Sequence, residues 1–117
     1  MADYKTVPLK VCAFVTGGVT MVVNATLKVD GKTSPSGQAE LADVHVSQQC
    51  AQLRAQKKTG VATLRLAFSA APFVGNGEFE VTFRLEHPAL PEDPLEFVRV
   101  GKVEGGPDNF IETIELL

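Results

Sequence analysis

The stretch ATLRLAFSAAPFVGNGEFEVTFRLE, from Ala62 to Glu86, decides the fold class. Apolar residues occupy alternate positions along most of it, on both sides of a central Asn76-Gly77. Alternation of apolar and polar side chains is typical of a half-buried β-strand, and Asn-Gly is the strongest short signal for a tight hairpin. The stretch therefore predicts an antiparallel hairpin in which Phe68 pairs with Leu85.

Pro72 has a particular place in that predicted hairpin. The register puts it opposite Val81, with the missing N–H directed away from this partner. Proline is tolerated in a strand only where that side is an edge or a bulge. We therefore predict that the strand near Pro72 is not paired by its own chain on that side.

A second hairpin is predicted nearer the N-terminus. The segments Val7–Val15 and Val19–Val29 are rich in β-branched residues and flank Thr16-Gly17-Gly18. A two-residue loop would split the apolar face, whereas a three-residue loop pairs Val15 with Val19 and makes every pair on one face apolar. Because a slip of one residue turns side chains to the other face, the pattern favours the three-residue loop.

The other face of this predicted hairpin is less polar than a solvated sheet face should be. Near the turn it carries a cysteine, a phenylalanine and a valine in place of polar residues. Together with the expected edge at the proline, this face forms a candidate interaction surface, made up of Cys12, Phe14, Val22, Pro72 and Phe73.

One short amphipathic helix is predicted at about residues 47–58. Ser47 suits the N-cap, and Gly60 follows the last turn as a stop signal. Val46, Cys50 and Leu53 lie four and then three residues apart, which places them on one helical face.

The remaining segments complete a mostly β pattern. A short strand is predicted at Val44–Val46, and a longer one at Leu95–Val103 with a face switch that indicates a bulge. Phe110–Leu117 suits either a strand or a short helix capped by Asp108, and the strand is favoured. The fold class is α+β and mostly antiparallel β: a sandwich or partly open barrel of about six strands with one short helix. Its length of 117 residues predicts a single β-rich domain over residues 1–117.

Composition and cysteine usage indicate a soluble globular chain. Hydrophobic residues make up 44% and charged residues 21%, and no apolar run approaches the roughly 20 residues that span a bilayer. The N-terminus has no signal-peptide pattern, so we expect the cytoplasm, with a virion as the alternative. Cys12 and Cys50 are then expected to be reduced and to serve as small hydrophobic residues.

No residue pattern identifies a reaction, so no enzyme is expected, and no catalytic, cofactor-binding or metal-binding residues are assigned. Asp43, His45 and Cys50 are close in sequence, but a zinc site usually has three or four ligands at known spacings. The chain contains no Gly-x-Ser-x-Gly motif. A pI near 5.3 argues against a nucleic-acid partner.

Charge is divided unevenly along the chain. Residues 1–77 carry a net charge of +4 and residues 78–117 a net charge of −7. Such halves can associate head to tail, although solvated strand faces explain the same division. We expect a non-enzymatic structural or assembly module that forms a homo-oligomer or docks on a larger, viral or bacterial, protein scaffold. The alternative is a small binding protein with an apolar ligand pocket between helix and sheet.

Overall fold

The computed structural model describes residues 3–116, which form a mostly antiparallel β structure. Within this range there are eight strands and no α-helix; the helical segment present is a three-residue 3₁₀ turn, Pro35–Gly37. The strands are β1 Leu9–Gly17, β2 Val19–Val29, β3 Gln38–Leu41, β4 Gln49–Leu53, β5 Ala62–Pro72, β6 Asn76–Glu86, β7 Leu95–Glu104 and β8 Asp108–Leu116.

The strands form two four-stranded sheets. The first sheet has the order β4-β1-β6-β7, and the second has the order β3-β2-β5-β8. All paired strands are antiparallel. The sheets face each other across a shared core, where the rings of Phe68 on β5 and Phe79 on β6 lie 6.3 Å apart between centroids.

Both predicted hairpins are wrong, because their strands belong to different sheets. β1 pairs with β4 and β6, while β2 pairs with β3 and β5. Likewise β5 pairs with β2 and β8, and β6 pairs with β1 and β7. The predicted alternation is confirmed, however, since the apolar positions of these four strands are buried. Alternation identifies the buried face of a strand but not the strand that lies beside it.

Glycines explain why the two short connections cross between sheets side by side. Gly17 has φ +118°, and a Cβ on it would overlap the Glu78 carbonyl oxygen. A Cβ on Gly77 would lie 2.5 Å from the Gly18 carbonyl oxygen. Only glycine lets the two backbones approach this closely, so the two crossings can lie against each other. The end of the molecule where they meet is called the glycine end.

The predicted helix over residues 47–58 is also wrong. Gln49–Leu53 forms β4, and the chain then runs irregularly to β5. Leu53 is buried while Cys50 faces outward, which is the alternation of a strand, and Val46 is 71% exposed. The apolar spacing that suits a helix therefore arises here from residues on both sides of a strand and in the preceding turn.

The other segment predictions have mixed outcomes. Val44–Val46 is a turn in which the Val46 N–H donates to the Asp43 carbonyl at 3.0 Å, so the predicted short strand is wrong. The strand at Leu95–Val103 is confirmed as β7, but its register with β6 runs without a bulge. The strand alternative for Phe110–Leu117 is confirmed as β8 up to Leu116, and Leu117 lies outside the described residues. No helix in residues 3–116 is long and apolar enough to cross a membrane.

Candidate functional site

The predicted interaction surface does not assemble as one face. Phe14 lies on the outer face of the first sheet, opposite Thr82 on β6. Val22 lies on the outer face of the second sheet, opposite Ser69 on β5. Because β1 and β2 belong to different sheets, the residues that a hairpin would have placed together lie on opposite sides of the molecule.

Cys12, the third residue of that expected face, is buried and forms a disulfide with Cys50. The two residues are direct partners in the β1–β4 ladder. The expectation of reduced cysteines is therefore wrong. Sequence separation gave no sign of the bond, because the pairing of β1 with β4 is what brings positions 12 and 50 together.

Pro72 lies at the end of β5 with its ring nitrogen on the β8 side. Its ladder partner is Val19 rather than the predicted Val81. The β5–β8 ladder ends at Ala70 and Asp108, so within the described residues nothing in β8 pairs with Pro72. Pro72 itself thus lacks a partner on that side, as predicted, but β5 is an inner strand between β2 and β8 and not the edge strand that was expected.

A group of exposed apolar side chains lies at the glycine end, and we call it the end patch. It consists of Val46, Phe73 and Val74, with exposed fractions of 71%, 59% and 85%. The His45 ring meets the Phe73 ring edge to face at a centroid distance of 6.1 Å. The patch thus joins the β3–β4 connection to the β5–β6 connection.

Backbone hydrogen bonds hold both connections of the end patch in place. The Phe73 N–H donates to the Gly18 carbonyl at 3.0 Å, which ties the end of β5 to the first crossing. The Val15 N–H donates to the Val44 carbonyl at 3.0 Å, and Val44 is fully buried. The exposed residues are therefore carried on anchored turns.

Sequence reasoning found Phe73 but missed Val46 and Val74. The predicted helix places Val46 on its apolar face, and the predicted hairpin includes Val74 in one of its strands, so neither prediction indicates an exposed side chain. Val74 directly precedes Gly75-Asn76-Gly77, and this run of turn-forming residues is a sequence signal that could have revealed its exposure.

A second notable surface is the side of the molecule where β7 and β8 end their sheets, called here the open side. Among residues 3–116, each of these two strands has a paired neighbour on one side only. On the inward faces of these strands, the Arg99 Nε and the Glu112 Oε1 are 2.6 Å apart. The guanidinium also lies 5.1 Å from the centroid of the Phe97 ring. Val98 and Val100 are exposed on the outer face of β7.

The end opposite the glycine end holds a buried polar cluster around the N-terminal segment. His87 is 3% exposed, and its Nε2 lies 3.2 Å from the carbonyl oxygens of Asp3 and Val7. The Ala89 N–H donates to His87 Nδ1, so the hydrogen is assigned to Nε2. His87 stacks on Tyr4 at 4.4 Å between centroids, and burial raises the pKa of the Tyr4 phenol. These contacts hold the N-terminal segment against the core.

Asp30 organises the neighbouring loops at the same end. Its carboxylate accepts from the Val61 N–H at 2.9 Å and pairs with the Lys57 ammonium at 3.3 Å. These two donors, with the backbone N–H as the larger cause, hold the pKa of the Asp30 carboxyl below its usual value.

The arrangement of possible metal ligands and of the internal phenylalanines bears on two further sequence expectations. In residues 3–116, no group of three or more His, Cys, Asp or Glu side chains is placed to hold a metal ion. The phenylalanines that would line an internal pocket pack against one another. The ring centroid of Phe83 lies 5.5 Å from that of Phe68 and 5.3 Å from that of Phe97. An open groove of about 500 Å³ lies beside Glu78, Glu80 and Lys102.

The chain was compared with known proteins at three levels. No family model matches it, and neither a curated protein nor a solved structure does.

Proposed function

We propose that the protein is a small non-enzymatic β-sandwich module whose role is to bind protein, either by forming a homo-oligomer or by docking on a larger scaffold. The observation that carries the proposal is the end patch. Three exposed apolar side chains gather on anchored turns at one end of the molecule. Clustered exposed apolar residues mark interaction sites more often than scattered ones do.

Other observations support an interaction role over a ligand-binding role. The phenylalanine rings that a pocket needs as its lining fill the space between the sheets instead. The Cys12–Cys50 disulfide also favours an oxidising setting for the module, such as a cell or virion surface, over a reducing cytoplasm.

The proposal is tested by measuring mass with light scattering after size exclusion, over a concentration and salt series. We expect the wild-type mass to rise above the 12.5 kDa of a monomer as concentration increases. The double variant Phe73→Ser/Val74→Ser should associate less, because it removes two exposed apolar side chains while leaving the core untouched.

Val61→Ser is the matched control, because Val61 is 66% exposed but lies at the opposite end of the molecule. It should behave as the wild type does. A wild-type protein that stays monomeric throughout the series would refute self-association. Equal association of the end-patch variant and the control variant would show that the end patch is not its cause.

A further inference from the structure

The open side presents two long strand edges with free backbone groups. In the β6–β7 ladder, the Gly105 N–H donates to the Gly75 carbonyl at 3.0 Å, at a position that continues the register. Along an antiparallel ladder, the backbone N–H and C=O groups of successive residues are directed alternately to the two sides of the strand. The backbone groups of the odd-numbered residues of β7 therefore bond to β6, and those of the even-numbered residues point outward, away from the sheet. The Val98 carbonyl is one of these outward groups, and Arg99 Nη1 donates to it at 3.0 Å.

The same argument applies to β8. The Phe73 N–H donates to the Gly18 carbonyl in the β2–β5 register, so odd-numbered residues of β5 bond to β2 and even-numbered residues bond to β8. The register between β5 and β8 then directs the odd-numbered backbone groups of β8 outward. The other two edges, β3 and β4, have only four and five residues, so the open side carries the longer free edges.

The sequence of β7 is self-complementary about Arg99. If a second copy pairs antiparallel with Arg99 at the midpoint, Glu96 lies opposite Lys102 of the second copy, and Val98 lies opposite Val100 of the second copy. Opposite charges and apolar residues in direct cross-strand positions both stabilise a sheet. Moving the midpoint to Val100 would instead place Glu96 opposite Glu104, which is a like-charge pair.

β8 is compatible with the same symmetry when Glu112 is its midpoint. Phe110 then lies opposite Ile114 of the second copy, and both are half-buried apolar residues on the inward face. Arg99 contacts Glu112, so the two midpoints are neighbours in space. One two-fold axis perpendicular to the sheets can therefore pass beside both midpoints and extend both sheets at once.

From this geometry we infer that two copies of the chain join side by side through the open side, β7 to β7 and β8 to β8, about a two-fold axis next to Arg99 and Glu112. Inward-facing charges on edge strands usually oppose such pairing. Here the two arginines and two glutamates at the axis compensate one another in charge. The Val98 carbonyl exchanges its Arg99 donor for the Val100 N–H of the second copy. The inference rests on the self-association proposed above but uses a different surface.

Val98→Pro tests the backbone pairing. It removes an outward N–H without removing a bond to β6, and it is expected to raise the dimer dissociation constant about tenfold or more, since two hydrogen bonds are lost per dimer. Val98→Thr is the control, because it keeps the N–H and the strand preference. Circular dichroism and a thermal melt establish that each variant is folded.

A charge exchange tests the register without any backbone change. Glu96→Lys and Lys102→Glu should each weaken the dimer several-fold, because each makes both cross-strand pairs alike in charge. The double variant Glu96→Lys/Lys102→Glu restores opposite charges between the copies and should dimerise more strongly than either single variant. Within each copy it places like charges opposite Arg84 and Glu78, so a thermal melt of each variant accompanies its mass profile. The dimer dissociation constant of each variant is measured by sedimentation or light scattering over a concentration series.

The outcomes separate this inference from the proposed function. Dimers that persist in Phe73→Ser/Val74→Ser but are weakened in Val98→Pro, with recovery in the charge exchange, support the open-side dimer. Association that is lost in the end-patch variant and unchanged in Val98→Pro and Glu96→Lys overturns the open-side dimer but keeps the proposed function. A monomer at every concentration overturns the open-side dimer as well as self-association through the end patch.

Discussion

Reduction of the Cys12–Cys50 disulfide should destabilise the fold strongly. The bond joins residues 38 positions apart and closes a loop that contains β2, β3 and their connections. In the unfolded chain this loop closure removes conformations that the native state does not use. Its main effect is therefore expected on the entropy of the unfolded chain rather than on a native contact.

The magnitude follows from the loop length. For a separation of 38 residues, the chain-entropy relation gives about 13 cal/mol/K, or about 4 kcal/mol at 25 °C. The free energy of unfolding of a domain is about 5–15 kcal/mol, so the loss is a large share of the total. The reduced protein should therefore unfold at a much lower urea concentration than the oxidised protein.

The assay is urea unfolding of the same chain with and without a phosphine reductant, followed by circular dichroism. The m-value should also rise on reduction, because the unfolded chain without the cross-link exposes more surface. The variant Cys12→Ala/Cys50→Ala is the control, and its unfolding should not respond to the reductant.

Two results would refute this reasoning. One is a count of two free thiols in the unreduced chain after unfolding, which would mean that the bond is absent. The other is a change in the free energy of unfolding below about 1 kcal/mol on complete reduction, which would mean that the 38-residue loop does not constrain the unfolded chain as the entropy relation requires.

Three further predictions follow from single residues. Gly17→Ala should lower the free energy of unfolding by about 2–3 kcal/mol in chemical unfolding, because Gly17 has a positive φ and an added Cβ would overlap the Glu78 carbonyl oxygen. Gly105→Ala should lower it less, because Gly105 has a positive φ but open space around it. Tyr4 is the one tyrosine in a chain without tryptophan, so absorbance at 295 nm reports its ionisation alone. Because its pKa is raised above 10.0 in the fold, its contribution to stability should be complete below pH 10 and fall as pH rises beyond it. The lowered pKa of Asp30 contributes stability above about pH 3.8 that is lost as pH falls further, so Asp30→Asn should show a shallower acid loss in a pH series of thermal melts.

The positions and buried faces of the six longer strands could be read from the sequence, whereas β3 and β4 were not predicted, so the expected count of about six strands was too low. Leu64, Leu66 and Phe68 were expected on one face of a strand, and all three are buried on β5. This succeeded because alternation at a period of two is a local property of the extended chain. The helix prediction failed at Cys50 and Leu53 because β4 has only five residues, too few for alternation to be distinguished from helical spacing.

The candidate site was much harder to read. Phe73 was predicted as a surface residue beside a strand edge, and it belongs to the end patch. Cys12, Phe14 and Val22 were grouped because a hairpin would have placed them together. A short glycine connection can lead either to a neighbouring strand or across to the other sheet, and nothing in the connection itself distinguishes the two.

The sequence by itself determined that the chain is mostly β and which side chains of its main strands are buried, since these depend on the order of apolar and polar residues along an extended backbone. Only the tertiary structure decided which strands pair, that Cys12 meets Cys50, and that β7 and β8 end their sheets on the same side. The physical reason is that every buried strand face is apolar and so fits many partners equally well. The choice among partners comes from close contacts between distant segments, such as the approach of Gly17 to Glu78, which no local pattern contains.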